Sequence, residues 1–346
     1  MTSWEKINCI DRKAAEKEIA EVKALQEAGL YPNRFDMPLT VQFELTEKCN
    51  LKCRHCYNMS NEKVYERTMT TENWLNVVDN IIANGGIFQA IMSGGEPLLM
   101  GDGLFQIMDK LHDDGTSFVL ISNGMLMTEE IVRKLKKYRF YWVQISIDGF
   151  TAEYHDWFRG VKGSWQKAVD AAFYVSKHGL PLKIAHCVTE SNFDDLENMV
   201  EMAYHLGASE IILGENMASG RAAKNRDTLM PVESKNKLID KIGELQDRYS
   251  GRMGIQRSMG MKMSVYKGIN NVNSSIILRP NGDLRLDCVA PFVIGNLFED
   301  ELSNIWRKKG IAAWQNTRIQ EFYEAIDEIT NTNSLNTNYV DKEILI

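Results

Sequence analysis

The chain has 346 residues, enough for one large domain or about two of ordinary size. Its 44% hydrophobic and 25% charged content is that of a soluble globular protein with a sizeable core, and no apolar run approaches the ~20 residues that span a bilayer. With 40 basic against 47 acidic residues, the net charge of −7 speaks against a broad electrostatic grip on nucleic acid. Residues 1–11 hold no apolar stretch of the signal-peptide kind, so the expected compartment is the cytoplasm. Thiols are kept reduced there, and clustered cysteines mean metal or redox chemistry more often than disulfides.

Residues 11–28 carry Ala, Ile, Val and Leu at helical spacing among Lys and Glu and stop at Gly29, which predicts an amphipathic helix within an N-terminal segment, residues 1–38. Tyr31-Pro32-Asn33 and Met37-Pro38 break the chain before the main domain, residues 39–250. There a strand-then-helix alternation runs six times. The predicted strands are 39–45, 87–92, 118–121, 142–147, 182–188 and 210–213; the helices that answer them are 70–83, 104–112, 128–138, 165–177, 196–205 and 232–249. Six such units imply a parallel sheet covered by helices, either open or curled into a partial barrel, with function on the loops leaving the C-terminal ends of the strands. Residues 251–273 are rich in Gly, Met, Asn and Lys without a period and read as a linker. Residues 276–278 and 284–286 then flank Pro280-Asn281-Gly282-Asp283 as a hairpin, Cys288 follows, and a helix is predicted around 302–308. The tail, residues 330–346, is too polar through 330–338 to pack strongly.

The chemistry-bearing residues fall on the strand-to-helix loops. After the first strand come Cys49, Cys53 and Cys56, three of the six cysteines, with His55 between two of them and Tyr57 beyond. Three thiolates so close favour a soft metal centre, zinc or iron-sulfur. Structural zinc takes four protein ligands, whereas three thiolates hold three irons of a four-iron cluster and leave the last iron open. After the second strand, Ser93-Gly94-Gly95-Glu96-Pro97 offers two glycines that let backbone approach a ligand, a carboxylate that accepts from an ammonium group, and a proline that stiffens the exit. Ser122-Asn123-Gly124 and Ser146-Ile147-Asp148-Gly149 leave the third and fourth strands; Asn-Gly and Asp-Gly are also ordinary turns. Arg159 ends the run Tyr154-His155-Asp156-Trp157-Phe158-Arg159, either as a guanidinium fork for a carboxylate or as a surface arginine beside an aromatic plug.

The C-x3-C-x2-C spacing, followed one unit later by Gly94-Gly95-Glu96-Pro97 and then by the Ser122, Ser146 and Arg159 segments, resembles the radical S-adenosylmethionine (radical SAM) superfamily in content and order. The resemblance runs over about residues 40–225. It implies an α/β fold, a partial (β/α)6 TIM-like barrel with a small α+β C-terminal cap. It further implies one 4Fe-4S cluster on Cys49, Cys53 and Cys56, and SAM held by His55, Tyr57, Gly94, Gly95, Glu96, Pro97, Ser122, Asn123, Ser146, Asp148 and Arg159. In the family Glu96 would take the methionine amino group and Arg159 its carboxylate, and the methionine groups would complete the cluster.

Pro280 to Asp283, then Cys288, Ile294-Gly295-Asn296-Leu297 and Ile305-Trp306, resemble the opening of the SPASM or twitch extension of peptide-maturing radical SAM enzymes, giving a cap at residues 251–329. Such extensions carry auxiliary clusters on several cysteines. No cysteine follows Cys288, and Cys9, Cys187 and Cys288 are far apart in sequence, so a single cluster and a metal-free cap are expected.

By this resemblance the protein reductively cleaves SAM and abstracts hydrogen from a ribosomal precursor peptide, with a reduced flavodoxin or ferredoxin-type protein as electron donor and neither nucleic acid nor membrane as partner. The outcome is epimerisation, with Cys288 or Cys187 returning a hydrogen, or carbon-carbon crosslinking, which needs no donor. Cys187 lies in a predicted strand, where a buried cysteine also serves as plain packing. A radical SAM enzyme on a small molecule, and a non-catalytic iron-sulfur or zinc protein, are the alternatives; the last has no use for Gly94 to Pro97.

Overall fold

The computed structural model describes residues 3–62, 64–288, 290–326 and 344–346. The polar stretch 330–338 lies outside them. Helix α1 (Ser3–Glu27) precedes strand β1 (Thr40–Glu44), and the predicted alternation follows: α2 (Thr71–Ala83), β2 (Gln89–Ser93), α3 (Asp102–Asp113), β3 (Ser117–Ser122), α4 (Glu129–Leu135) and β4 (Phe140–Ser146). Two helices, α5 (Ala152–Arg159) and α6 (Ser164–Lys177), lead to β5 (Leu182–Val188), α7 (Leu196–His205), β6 (Glu210–Glu215), α8 (Gly220–Lys224) and α9 (Val232–Tyr249).

The helices form where the sequence places an apolar stripe at positions i, i+3, i+4 and i+7. Trp74, Val77, Val78 and Ile81 make that stripe on α2, Leu104, Ile107, Met108 and Leu111 on α3, Ala168, Ala171, Ala172 and Val175 on α6, and Leu196, Met199, Val200 and Ala203 on α7, all of them buried. Thr70 starts α2 with a reciprocal capping box through Asn73, a cap of about 1 kcal/mol. Within β1, Val41 and Phe43 face these helices fully buried, and Phe43 meets Trp74 edge to face at 5.8 Å. Each such side chain contributes roughly 1.5–3 kcal/mol by leaving water.

Residues 251–273 are not an aperiodic linker. They contain strand β7 (Gly254–Arg257) and helix α10 (Met261–Asn270), a seventh unit that leads to β8 (Ser275–Leu278). β7 adds parallel to β6, and β8 adds parallel to β1 on the other side, Thr40 pairing with Ser275 and Phe43 with Leu278. Eight parallel strands therefore run β8-β1-β2-β3-β4-β5-β6-β7, a partial barrel open between β7 and β8. The expected hairpin is β8 with β9 (Asp283–Arg285), antiparallel; β10 (Phe292–Asn296) and β11 (Ile344–Leu345) extend the same eleven-stranded sheet. The cap's strands thus continue the barrel sheet, and its helices α11 (Leu302–Ile305) and α12 (Thr317–Ala325) pack beside α2 and α10. Helix α1 lies against α9 and α10, buries Ala15 and Ile19, and ties Glu18 to Lys267 at 2.6 Å.

Candidate functional site

The loop after β1 is fastened at both ends. Asn61 accepts from the Cys49 amide at 3.0 Å and donates to the Cys49 carbonyl at 2.7 Å, holding itself at φ +70° to do so. Cys49, Cys53 and Cys56 are free thiols. Leu51 N–H points at the Cys49 sulfur (3.4 Å), as does Asn123 Nδ2 (3.7 Å), and Arg159 Nη1 lies 3.9 Å from the Cys53 sulfur. Burial pushes the Cys53 thiol up to about 12, and that of Cys49 upward as well. As thiolates they need a positive partner in place of the proton, which metal ligation supplies. Among the described residues no three His, Cys, Asp or Glu side chains gather for a single ion. Three free thiols, two of them with N–H donors aimed at sulfur, fit three irons of a 4Fe-4S cluster.

Gly94 and Gly95 lie flat against this loop. Gly95 N–H donates to the Thr46 carbonyl at 2.6 Å and Glu96 N–H to the Lys48 carbonyl at 2.9 Å. A Cβ on Gly95 would stand 2.1 Å from the Lys48 carbonyl oxygen, and one on Gly94, which holds φ +141°, would stand 2.8 Å from the Thr46 carbonyl oxygen. Gly95→Ala should therefore displace the cysteine loop, costing about 1–3 kcal/mol and lowering iron per chain after reconstitution. Full iron loading with an unchanged unfolding midpoint would contradict the close approach.

Pro97 opens a 3-10 turn, Pro97–Met100, for which Glu96 is the cap. Glu96 is 0% exposed and accepts three hydrogen bonds, from Leu98 N–H (3.2 Å), Ser122 Oγ (3.0 Å) and Asn123 N–H (2.8 Å). All three donors are neutral, and no lysine, arginine or histidine among the described residues stands within ion-pairing distance. Burial outweighs these bonds and raises its carboxyl to about 7. The pocket is thus built for a carboxylate, with Arg159 acting on it only from beyond ion-pairing distance. Asn123 also donates to Asn50 Oδ1, bringing the third loop onto the first.

Asp148 and Arg159 form a second centre, with side chains 1% and 10% exposed and Arg159 Nε 2.6 Å from Oδ2. The other carboxylate oxygen accepts from Cys187 N–H at 2.8 Å. Burial alone would raise the Asp148 carboxyl, but Arg159 and the surrounding histidines hold it well below the usual range. His55 Nε2 stands 3.7 Å from Asp148, its ring stacked on Phe158 at 4.3 Å, and burial lowers it to about 4, so it is neutral. Ser146 ends β4 half-buried, in register with Ala185.

The two candidate hydrogen donors belong to different networks. Cys187, half-buried at the end of β5, donates to Asn216 Oδ1 at 2.8 Å. Cys288 lies on the cap side, near enough to Tyr57 and Glu44 for their charges to act on one another, and burial raises both thiols. The Cys9 side chain lies outside the described residues. Tyr57 donates to Glu44 Oε1 at 3.2 Å, and Glu44 Oε2 stands 3.3 Å from Arg279 Nε of the cap. Neither Glu44, Arg279 nor the segment after β6, where Gly220, Arg221 and Asn225 press on the cysteine loop, is marked by the sequence motifs. The one available signal for the last is position, since it too leaves the C-terminal end of a barrel strand.

Residues 43–203 match the profile of the Radical SAM superfamily. The mycofactocin maturase MftC of Mycolicibacterium smegmatis is 30% identical over 79% of this chain and 71% of its own length. The chain belongs to the radical SAM superfamily. The antilisterial bacteriocin subtilosin biosynthesis protein AlbA of Bacillus subtilis is 29% identical over 79% of this chain but 60% of AlbA. This radical SAM chain thus spans between about half and three-fifths of the length of several curated relatives it matches. The fold is also that of Streptococcus suis SuiB, solved with S-adenosylmethionine, at a TM-score of 0.66 and 14% identity over 86% of this chain and 71% of SuiB. No helix among the described residues is long and apolar enough to cross a membrane.

Proposed function

We propose that the protein is a radical SAM enzyme that modifies a ribosomally made peptide. The observation that carries the SAM site is Glu96, a fully buried carboxylate with three neutral donors and, among the described residues, no cation within ion-pairing distance, one loop away from three free thiols. When bound, a reduced 4Fe-4S cluster and SAM supply a 5′-deoxyadenosyl radical, which removes hydrogen from an unactivated carbon. Cys49, Cys53 and Cys56 hold the cluster, Glu96 takes the amino group of SAM, and Arg159, oriented by Asp148, offers its remaining guanidinium N–H groups to the carboxylate. Ser122 and Asn123 fix Glu96, and Gly94 and Gly95 keep the two loops in contact.

The peptide substrate is supported by similarity to the mycofactocin maturase MftC and the bacteriocin subtilosin biosynthesis protein AlbA, and by a cap whose sheet continues the barrel. If the outcome is epimerisation, Cys187 or Cys288, both thiols whose proton burial holds, is the assigned source of the returned hydrogen atom. A flavodoxin or ferredoxin-type donor in the cytoplasm completes the reading.

Anaerobic reconstitution should give about four irons per chain, and about eight would refute a single cluster. Incubation with SAM and dithionite should release 5′-deoxyadenosine; none from a loaded sample would sink the enzyme reading. In deuterium oxide, with peptides encoded beside the gene, gain of one deuteron marks epimerisation and loss of two hydrogens marks crosslinking.

A further inference from the structure

The segment after β6 also grips the cysteine loop. Arg221 N–H donates to the Cys56 carbonyl at 2.9 Å, its Nε to the Cys53 carbonyl at 2.6 Å and its Nη1 to the Ser60 carbonyl at 3.0 Å. Gly220, at φ +54°, is pressed so close that a Cβ would stand 2.4 Å from the Cys56 carbonyl oxygen. Asn225 donates to the Arg54 carbonyl at 2.9 Å. One short segment thus satisfies the carbonyls of residues 53, 54, 56 and 60, and its guanidinium spans the carbonyls of Cys53 and Ser60.

Two arginines therefore flank the loop, and their charges are not equivalent. Arg159 is cancelled at 2.6 Å by Asp148, which is more deeply buried than Arg159 itself. Arg221 has a side chain 12% exposed, while its carboxylate, Glu62 at 2.9 Å, is 40% exposed and shared with Lys224 at 3.4 Å. Water screens Glu62 more than it screens Arg221, so a net positive field remains at the loop.

We propose that Arg221 is a positioning residue that also sets how readily the cluster on Cys49, Cys53 and Cys56 accepts its electron. This rests on the cluster reading given above. When the external one-electron donor reduces the cluster, one unit of negative charge is added to the thiolate-bound centre and no bond is made or broken. A fixed cation at the loop stabilises the reduced form more than the oxidised form, and so raises the reduction potential.

The test is a redox titration of the reconstituted protein, followed by the electron paramagnetic resonance signal of the reduced cluster, in wild type, Arg221→Gln, Arg221→Lys and Glu62→Gln. At the potential that half-reduces wild type, the ratio of reduced to oxidised cluster in Arg221→Gln should fall at least about threefold. Arg221→Lys, which keeps the charge and loses the fork, should recover most of that ratio. Glu62→Gln leaves the cation less compensated and should move the ratio the other way, and this exposed substitution decides the matter if Arg221→Gln fails to load its cluster. A loaded Arg221→Gln with wild-type potential, equal shifts in the Lys and Gln variants, or no shift in Glu62→Gln each overturns the proposal and leaves the enzyme reading intact. Absence of any cluster signal in wild type overturns both.

Discussion

Glu96→Gln is expected to weaken SAM binding to the cluster-loaded protein by about 2–5 kcal/mol, roughly 30- to 5,000-fold in Kd. The substitution keeps the shape of the side chain and an oxygen for Ser122 or Asn123, and removes only the charge that an ammonium group needs. The pH dependence follows from the same burial. With its carboxyl raised to about 7, above the ~4.3 of an unfolded chain, Glu96 contributes stability that is fully present below that unfolded value. This contribution is lost as pH rises through about 7. A bound cation favours the carboxylate, so SAM binding expels the proton, and affinity should climb up to tenfold per pH unit below about 7 and level off above it. In Glu96→Gln that slope should vanish. Equilibrium binding across pH 5.5 to 8.5 measures both effects; a variant within threefold of wild type, with the same slope, would remove Glu96 from the SAM site.

Asp148→Ala should cost about 3–5 kcal/mol of stability, because it leaves Arg159 charged and buried without its partner. The substitution also releases the Cys187 amide, so the ends of β4 and β5 lose their shared anchor. Asp148→Asn retains an acceptor for one of these donors and should lose less. Denaturant unfolding of the cluster-free protein reads the difference, and a loss below about 1 kcal/mol in Asp148→Ala would mean the pair is solvated rather than buried. The carboxyl titrates below its unfolded value, so its contribution is present above about pH 4 and is lost only as pH falls further, out of the working range.

What was legible in the sequence is what leaves a side-chain pattern. The stripes on α2, α3, α6 and α7 repeat at helical spacing, and each loop carrying Cys49, Gly95, Ser122 or Asp148 leaves a strand end. β7 escaped because its four residues, Gly-Ile-Gln-Arg, bury only Ile255 and show no alternation. Asp148 read as part of a turn, since its partners come from α5 and β5 and nothing local requires them. Arg221 escaped for a different reason: it binds backbone carbonyls of a distant loop, and carbonyls have no letter in a sequence.

The pairing of β8 with β1 has a consequence for how the protein is made. Thr40 waits for Ser275, so during synthesis one edge of the first strand stays unpaired until most of the chain has emerged. Such an edge is an aggregation hazard, and closing so long a loop is slow. In the same interval Pro280 has not yet accepted from Met69 N–H, nor has Arg279 met Glu44. The loop bearing Cys49, Cys53 and Cys56 is therefore least enclosed while the chain is still incomplete, which makes the order of iron loading and final closure a property of this topology.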